Sequence, residues 1–232
     1  MKKILVPTDF SSCAANALNF AVQASRFYRA EIILLHVIDR TEVLYGEYPD
    51  VIQERFKAAA NDAQEKLDQI KASIAETESI AIRTFQREGE VDELILELSD
   101  EMEIDLIVMG TFGINGIKDR IWGSKTAALT GKSSVPVMII PYEYDWKQPE
   151  KMLLATSRFE EDREVLEPII DLTGAFKADL FAVVFTDEDH ADAALLMERG
   201  LHMTSYEVKL KKLLNTESII TGHLSGSKFE DT

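Results

Sequence analysis

The 232-residue chain lacks three features that would point to particular classes of protein. It has one cysteine, Cys13, so an intrachain disulfide and zinc sites built on cysteine pairs are excluded. No apolar run approaches the roughly 18 residues that a membrane span requires. Basic residues number only 25 against 41 acidic ones, which gives a formal net charge of −16. A field of that sign repels nucleic-acid backbones and anionic membranes, so neither is expected as a partner.

The first ten residues, MKKILVPTDF, are typical of a strand with a charged start. Pro7 and Asp9 interrupt the apolar run too early for a secretory signal peptide, and we therefore expect a cytoplasmic protein. Cys13 stands beside Ala14 and Ala15, a setting that favours a small core residue over a nucleophile. The hydrophobic fraction of 46% is ordinary for a globular protein with a sizeable core.

Short apolar runs alternate with segments of helical period through the first 141 residues. The continuous apolar runs predict buried parallel strands at residues 3–6, 31–38, 79–85, 105–109 and 135–141. Between them, helices are predicted after a Ser11 or Ser12 N-cap and at residues 51–75, 91–98 and 125–130. This order predicts an α/β fold, a five-stranded parallel sheet with helices on both faces.

Residues 142–150 are predicted as a linker, after which the pattern starts again. The segment KILVPT at residues 3–8 is echoed by KMLLAT at 151–156. Helices at 162–173 and 190–214 and a strand at 218–222 follow, with Gly226 in the place of Gly89. Residues 151–232 are therefore predicted to form an incomplete second copy, without a fourth strand, glycine turn or fifth strand. We expect a truncated or partly ordered form of a longer tandem protein, or a second chain that covers the gap.

The strongest functional pattern lies at residues 105–124, DLIVMGTFGINGIKDRIWGS. An apolar strand stops at Gly110, a glycine-rich turn follows, and Gly123 and Ser124 open the next helix. Helix starts offer unpaired N–H groups and a partial positive charge, so the pattern predicts a phosphate cradle. It is not a Walker loop, because Thr126 stands where the first glycine belongs, and it is not the dinucleotide fingerprint G-x-G-x-x-G. Glycines that only form a turn are the alternative.

The spacing that does fit is glycine, two residues, glycine, nine residues, Gly-Ser, at Gly110, Gly113, Gly123 and Ser124. With it, residues 1–141 resemble the ATP-binding branch of the universal stress protein family, which is UspA-like. The resemblance implies a Rossmann-like, adenine nucleotide alpha hydrolase-like fold that holds ATP, alone or with Mg²⁺ or Mn²⁺, between the first and fourth strands. The implied binding residues are Pro7, Thr8, Asp9, Val37, Met109, Gly110, Gly113, Gly123, Ser124, Lys125 and Thr126.

Several of these positions also have a structural explanation. Asp9 suits sugar hydroxyls or the adenine amine, but it could equally cap the helix that it precedes. Val37 would give adenine an apolar floor, yet any buried strand has such a residue. We expect His36 to be a structural histidine. The second unit has Ser157 where the first has Asp9, so a structural or pairing role is predicted for it.

The resemblance implies a nucleotide-dependent stress-response regulator that works as a homodimer or an intrachain pseudo-dimer. No catalytic residue, metal ligand or base for activating water is identified, so at most slow ATP hydrolysis is expected. The alternative is a scaffold or dimerisation module that keeps the fold without the nucleotide. An enzyme of the related adenine-nucleotide hydrolase group is a third possibility, and it would need a second catalytic motif.

Overall fold

The computed structural model describes residues 1–38, 49–111, 129, 131–142, 144–189, 191–214 and 219–226. The chain divides into two compact units, Met1–Trp146 and Lys147–Thr232. Each unit has its own parallel sheet and its own hydrophobic core. Within the described ranges, no helix combines the length and the apolar composition needed to cross a bilayer.

Unit 1 contains a five-stranded parallel sheet in the order β3-β2-β1-β4-β5, which confirms the predicted fold class. Its described elements are β1 Lys3–Pro7, α1 Ser12–Tyr28, β2 Glu31–Ile38, α2 Pro49–Thr77, β3 Ile82–Glu88, α3 Val91–Glu101, β4 Leu106–Thr111 and β5 Val137–Pro141. The third strand starts three residues later than predicted and ends three residues later. It does so because β3 follows the ladder of β2, from Ile32 opposite Ile82 to Ile38 opposite Glu88.

Both faces of this sheet are buried, which explains why its inner strands are continuous apolar runs. On one face, Leu5, Ile33 and Leu35 pack in a cluster with Ile95 and Leu98 of α3. Residues of the opposite face, such as Ile4 and Val6 of β1, are also fully buried. Helix α1 packs against β1 and β4, and α2 packs against β2 and β3.

Helix α1 begins as the sequence predicts. Ser11 is its N-cap, and the Ser11 hydroxyl accepts a hydrogen bond from the Ala14 N–H at 3.3 Å. The helix ends at Arg29, whose left-handed backbone (φ 54°) and N–H bond to the Ser25 carbonyl close the last turn. Small buried residues line its inner side, namely Ala17, Ala21 and Ala24. They let the helix backbone lie close to the sheet.

The first part of the segment predicted as a linker packs on unit 1, and its last part is hydrogen-bonded within unit 2. Tyr144 and Trp146 pack on Phe20 of α1, with ring centroids 6.1 Å and 5.0 Å away. Gln148 donates a side-chain hydrogen bond to the Phe176 carbonyl of unit 2 at 2.7 Å. The boundary between the units therefore lies inside the predicted linker, after Trp146.

Unit 2 repeats the first half of unit 1. Its described elements are β6 Lys151–Thr156, α4 Arg163–Phe176, β7 Asp179–Asp187, α5 Ala193–Leu214 and β8 Ile219–Gly226, and the three parallel strands have the order β6-β7-β8. The register is also repeated, because Lys151 pairs with Asp179 as Lys3 pairs with Glu31. The last strand runs to Gly226, which pairs with Asp187. Gly226 is thus a strand residue, whereas Gly89 forms a turn with φ 148°.

The core of unit 2 lies on one face of its sheet. Leu180, Ala182 and Val184 of β7 pack there with Leu166 of α4 and Tyr206 of α5. Asp162 caps α4 by accepting from the Glu164 N–H at 2.9 Å. The Tyr206 hydroxyl donates to the Glu160 carbonyl at 3.0 Å and so ties α5 to the loop before α4.

Candidate functional site

The winding direction of the unit 1 sheet reverses between β1 and β4, which lie side by side. Ile4 pairs with Leu106 and Leu5 with Ile107 in a parallel ladder, so the carboxyl ends of the two strands lie side by side. Parallel α/β sheets bind ligands in the crevice at such a reversal. The structure therefore brings the segment from Pro7 to Asp9 and the end of β4 at Met109 and Gly110 to one edge of the sheet.

Thr8 fixes the loop that follows β1. Its N–H donates to the Leu35 carbonyl at 2.8 Å, and its hydroxyl accepts from the Phe10 N–H at 3.0 Å. His36 Nδ1 lies 2.8 Å from the Thr8 carbonyl. Because a carbonyl only accepts, His36 Nδ1 carries the hydrogen of this bond. His36 is thus the structural histidine that the sequence predicts.

Phe10 has a left-handed backbone with φ 61°, which is uncommon for a bulky side chain. The Phe10 N–H donates a hydrogen bond to the Thr8 hydroxyl, and the Phe10 ring lies 4.5 Å from the His36 ring, centroid to centroid. On the same ring, the Lys66 ammonium lies 5.3 Å from the centroid, within the range of a cation–π interaction. Neither Phe10 nor Lys66 was predicted from the sequence, since no local pattern marks a phenylalanine for this conformation.

Asp9 is exposed and takes part in the turn before α1. Its Oδ1 accepts from the Ser11 N–H at 2.9 Å, while Ser11 itself caps the helix. Its Oδ2 has no partner among the residues that the structure describes. Asp9 therefore shapes the turn with one of its two carboxylate oxygens.

Gly110 lets the first turn of α1 lie directly on β4. A Cβ at this position would stand 2.2 Å from the Cys13 carbonyl oxygen and 3.1 Å from the Ala14 nitrogen. This contact gives Gly110 a structural role, and the ligand contact implied by the resemblance stays a prediction. It also places the N-terminus of α1 beside the end of β4. The first turn of α1 has no acidic residue, so the positive end of the helix dipole is not offset within the helix.

Cys13 lies in this first turn and is 5% exposed. Burial raises the pKa of its thiol, and the nearby charge of Asp9 raises the same pKa further. A thiol with a raised pKa is a poor nucleophile at neutral pH. The prediction of a small core residue is confirmed.

Two further predicted site residues have their side chains in the core. Val37 is half-buried against the cluster of Leu5 and Ile33, and Met109 is a buried member of that cluster. Their side chains face the α3 side of the sheet. What Val37 and Met109 offer to a ligand at this edge is mainly their backbone.

The remaining predicted site residues lie outside the part of the chain that the structure describes. These are Gly113, Gly123, Ser124, Lys125 and Thr126. Of the predicted short helix at 125–130, only Leu129 is described, and it is helical and fully buried. In the described ranges, no three histidine, cysteine or carboxylate side chains gather in a way that would hold a metal ion.

A model of the universal stress protein family matches residues 1–141. The chain belongs to that family. Universal stress protein MJ0577 from Methanocaldococcus jannaschii is 29% identical over 153 residues, which cover 60% of this chain and 94% of the relative. Universal stress protein YxiE from Bacillus subtilis is 30% identical over 148 residues, which cover 60% of this chain and 97% of the relative.

Solved structures of this family share the fold. The structure of MJ0577 superposes with a TM-score of 0.55 at 29% identity, covering 62% of this chain and 98% of that one. A universal stress protein from Archaeoglobus fulgidus superposes with a TM-score of 0.67 over 97% of this chain and 78% of its own. At 19% identity the second likeness shows fold alone, and it extends across both units of this universal stress protein.

Proposed function

We propose that unit 1 binds ATP at the carboxyl ends of β1 and β4, and that this universal stress protein is a nucleotide-dependent regulator of a stress response. The observation that carries the proposal is the reversal of strand order between β1 and β4. It gathers the exposed carboxylate of Asp9 and the N-terminus of α1 beside Gly110, where the Gly110–Ser124 motif begins. Carboxylate acceptors suit ribose or adenine donors, and helix N-termini suit phosphates.

The proposed contacts to the nucleotide come from three groups of atoms. Asp9 Oδ2 would accept from a ribose hydroxyl or from the adenine amine. The backbone of Val37 and Met109 would flank the adenosine. The amides of residues 110–126 would face the phosphates. Because the chain carries a net charge of −16, long-range attraction does not favour an anion, and Mg²⁺ or Mn²⁺ on the phosphates would offset the repulsion.

We propose at most slow hydrolysis of the bound ATP. A cation on the phosphates polarises the terminal phosphoryl group, but fast turnover needs a positioned base and further charge stabilisation in the transition state. The sequence motif supplies neither. The presence or absence of bound nucleotide would then regulate the protein, and ATP hydrolysis would not be its main activity.

Binding can be measured by melting and by calorimetry with Mg·ATP. Ligand at about 100 times Kd should add roughly 2.7 kcal/mol to the free energy of unfolding. Gly113→Val should abolish binding, because its side chain blocks close approach of the backbone to the phosphates. The matched control is Gly131→Val, since a Cβ at this exposed glycine meets nothing within 4 Å. Absence of binding by the wild type, or normal binding by Gly113→Val, would reject the cradle and favour the nucleotide-free scaffold.

The assembly and compartment belong to the same proposal. We infer a cytoplasmic protein that pairs as a homodimer or an intrachain pseudo-dimer, with pairing sensitive to the nucleotide. Sedimentation velocity with and without Mg·ATP measures this sensitivity directly. An unchanged sedimentation coefficient at saturating nucleotide would remove the pairing step and leave the binding step standing.

A further inference from the structure

Unit 2 has an apolar sheet face that its own described helices leave open. Both α4 and α5 pack on the face that carries Leu180, Ala182 and Val184. The opposite face, named the open face here, includes Leu153, Ala155, Phe181, Val183, Ile220, Gly222 and Leu224. Leu153, Ile220 and Leu224 are 59%, 56% and 40% exposed. Parallel sheets occur almost only with both faces covered, so an open face of this kind is expected to be covered by a further element.

The internal repeat identifies the equivalent of the open face in unit 1. The strands β6-β7-β8 have the same order, direction and pairing register as β1, β2 and β3. Leu153 therefore occupies the place of Leu5, and Phe181 occupies the place of Ile33. Leu5 and Ile33 are both 0% exposed. Leu5 is thus fully buried, whereas the equivalent Leu153 is 59% exposed.

The helix α3 is an element that buries this face in unit 1. Its Ile95 and Leu98 belong to the cluster that contains Leu5, and Val91 and Met102 at its two ends pack against the same cluster. These apolar residues recur at spacings of three and four, so one side of the helix is apolar. Its exposed residues include Glu93, Asp100 and Glu101. The molecule itself therefore shows which kind of element fits this arrangement of strands.

We propose that the open face of unit 2 is a docking surface for an amphipathic helix of a partner polypeptide, with the apolar spacing of α3. The helix would pack on the open face as α3 packs on the cluster of Leu5 and Ile33, and it would bury Leu153, Phe181 and Ile220. A second copy of the chain, packed sheet to sheet, is the competing occupant. Face-to-face packing of sheets belongs to antiparallel sandwiches, whereas helices cover parallel sheets, so the helix is favoured.

The direct test uses a fluorescent peptide with the sequence of residues 89–104, GEVDELILELSDEMEI, which contains α3. We expect saturable binding to the full chain in an anisotropy titration. The double variant Leu153→Asp, Ile220→Asp should bind the peptide at least about tenfold more weakly, which corresponds to about 1.4 kcal/mol. Both side chains are largely exposed, so the variant should fold. Leu201→Asp is the matched control, because Leu201 is 74% exposed on α5, outside the open face.

Three results would overturn the proposal. The first is no binding up to about 1 mM peptide, the weakest affinity that a specific helix contact would be expected to show. The second is equal binding of a peptide in which Ile95 and Leu98 are replaced by aspartate, or equal binding by the double variant. The third is self-association of the wild-type chain that the double variant abolishes in sedimentation velocity, which would make a second copy the occupant. None of these results depends on nucleotide binding by unit 1.

Discussion

Gly110 is the residue whose side chain, or lack of one, decides how closely α1 approaches β4. The clash of an added Cβ at 2.2 Å is with backbone atoms of Cys13, which have no rotamer to change. We expect Gly110→Ala to lower the free energy of unfolding by about 1–3 kcal/mol, the range of overpacked cores. Urea denaturation followed by circular dichroism measures the loss. Gly131→Ala should be neutral in the same experiment, and equal stability of the two variants would contradict the close contact.

One substitution at Asp9 can separate its role in the turn before α1 from its proposed contact with ATP. Asp9→Asn keeps a side-chain oxygen for the Ser11 N–H and removes the charge, so we expect the free energy of unfolding to change by less than about 0.5 kcal/mol. The affinity for ATP should fall about tenfold or more, because hydrogen bonds to charged groups contribute about 1.5–3 kcal/mol. Calorimetric titration measures the affinity. If Asp9→Asn binds ATP as tightly as the wild type, Asp9 serves only the turn.

Cys13 gives a probe of the first turn of α1. It is the only thiol in the chain, and burial together with Asp9 raises its pKa. We expect a disulfide reagent such as DTNB to label the native protein only as fast as the protein opens, and to label it at once in denaturant. Fast labelling of the native protein at neutral pH would show that this turn is not packed as described.

Features of single residues could be predicted from the sequence only where neighbouring residues determine them. A serine cap at Ser11 or Ser12 and the burial of Cys13 follow from neighbouring residues, and the structure has the cap at Ser11 and a buried Cys13. The ring of Phe10 packs on His36 and Lys66, which are 26 and 56 residues further along the chain, and Gly110 contacts Cys13, which is 97 residues before it. No window of sequence around either residue contains that information.

The side-chain carboxylate of Glu160 stabilises the loop between β6 and α4. Glu160 accepts from Arg158 at 2.8 Å and from the Asp162 N–H at 3.0 Å, and its side chain is 10% exposed. The hydrogen bond from Arg158 holds the pKa of Glu160 below its usual value, with the Asp162 N–H acting in the same direction. A lowered folded-state pKa means that the charged form is preferred in the folded protein. Glu160 therefore stabilises unit 2 while it is ionised.

This stabilisation has a defined pH window. It should be complete above the unfolded-state pKa of about 4.3 and be lost as the pH falls through the lower folded-state pKa. The free energy of unfolding of the wild type should thus decrease on acidification more steeply than that of Glu160→Gln. Urea denaturation at several pH values between about 3 and 7 measures both slopes. Equal slopes would mean that Glu160 does not contribute through its charge.

The elements themselves were largely predicted because parallel strands buried on both faces leave a continuous apolar run in the sequence. The errors are at strand ends. β3 extends to Glu88 and β8 to Gly226 because each follows the ladder of its neighbour beyond its own apolar residues. Pairing with another strand is a property of the sheet, so the sequence of the edge strand alone does not show where it stops.

At the scale of the whole molecule, the repeat allows one substitution to be compared in two settings. Leu5→Ala should cost about 2–5 kcal/mol in the free energy of unfolding, because Leu5 is fully buried beneath α3. Leu153→Ala, at the equivalent position of unit 2, should cost less than about 1 kcal/mol, because 59% of Leu153 is already exposed. Urea denaturation of both variants decides the comparison. A similar cost at the two positions would show that the open face is buried in solution.

The two-unit organisation was predicted from the echo of residues 3–8 in residues 151–156, and the two sheets share the same pairing register. The resemblance that named the family rests on a short motif and covers residues 1–141, as does the family match. The sequence also predicted three strands for unit 2, and the described part of this unit contains three. The sequence did not show that both helices would lie on one face, since with right-handed crossovers that depends on the order of the strands in the sheet.

The open face has a consequence for how the sequence of unit 2 can drift. Mutational libraries selected only for a folded chain should accept lysine or glutamate at Leu153 and Ile220 as readily as leucine. Selection in the living cell should reject the same replacements at those two positions if a partner helix depends on them. The difference between the two selections, position by position along β6 and β8, would trace the outline of the docked helix without the partner ever being isolated.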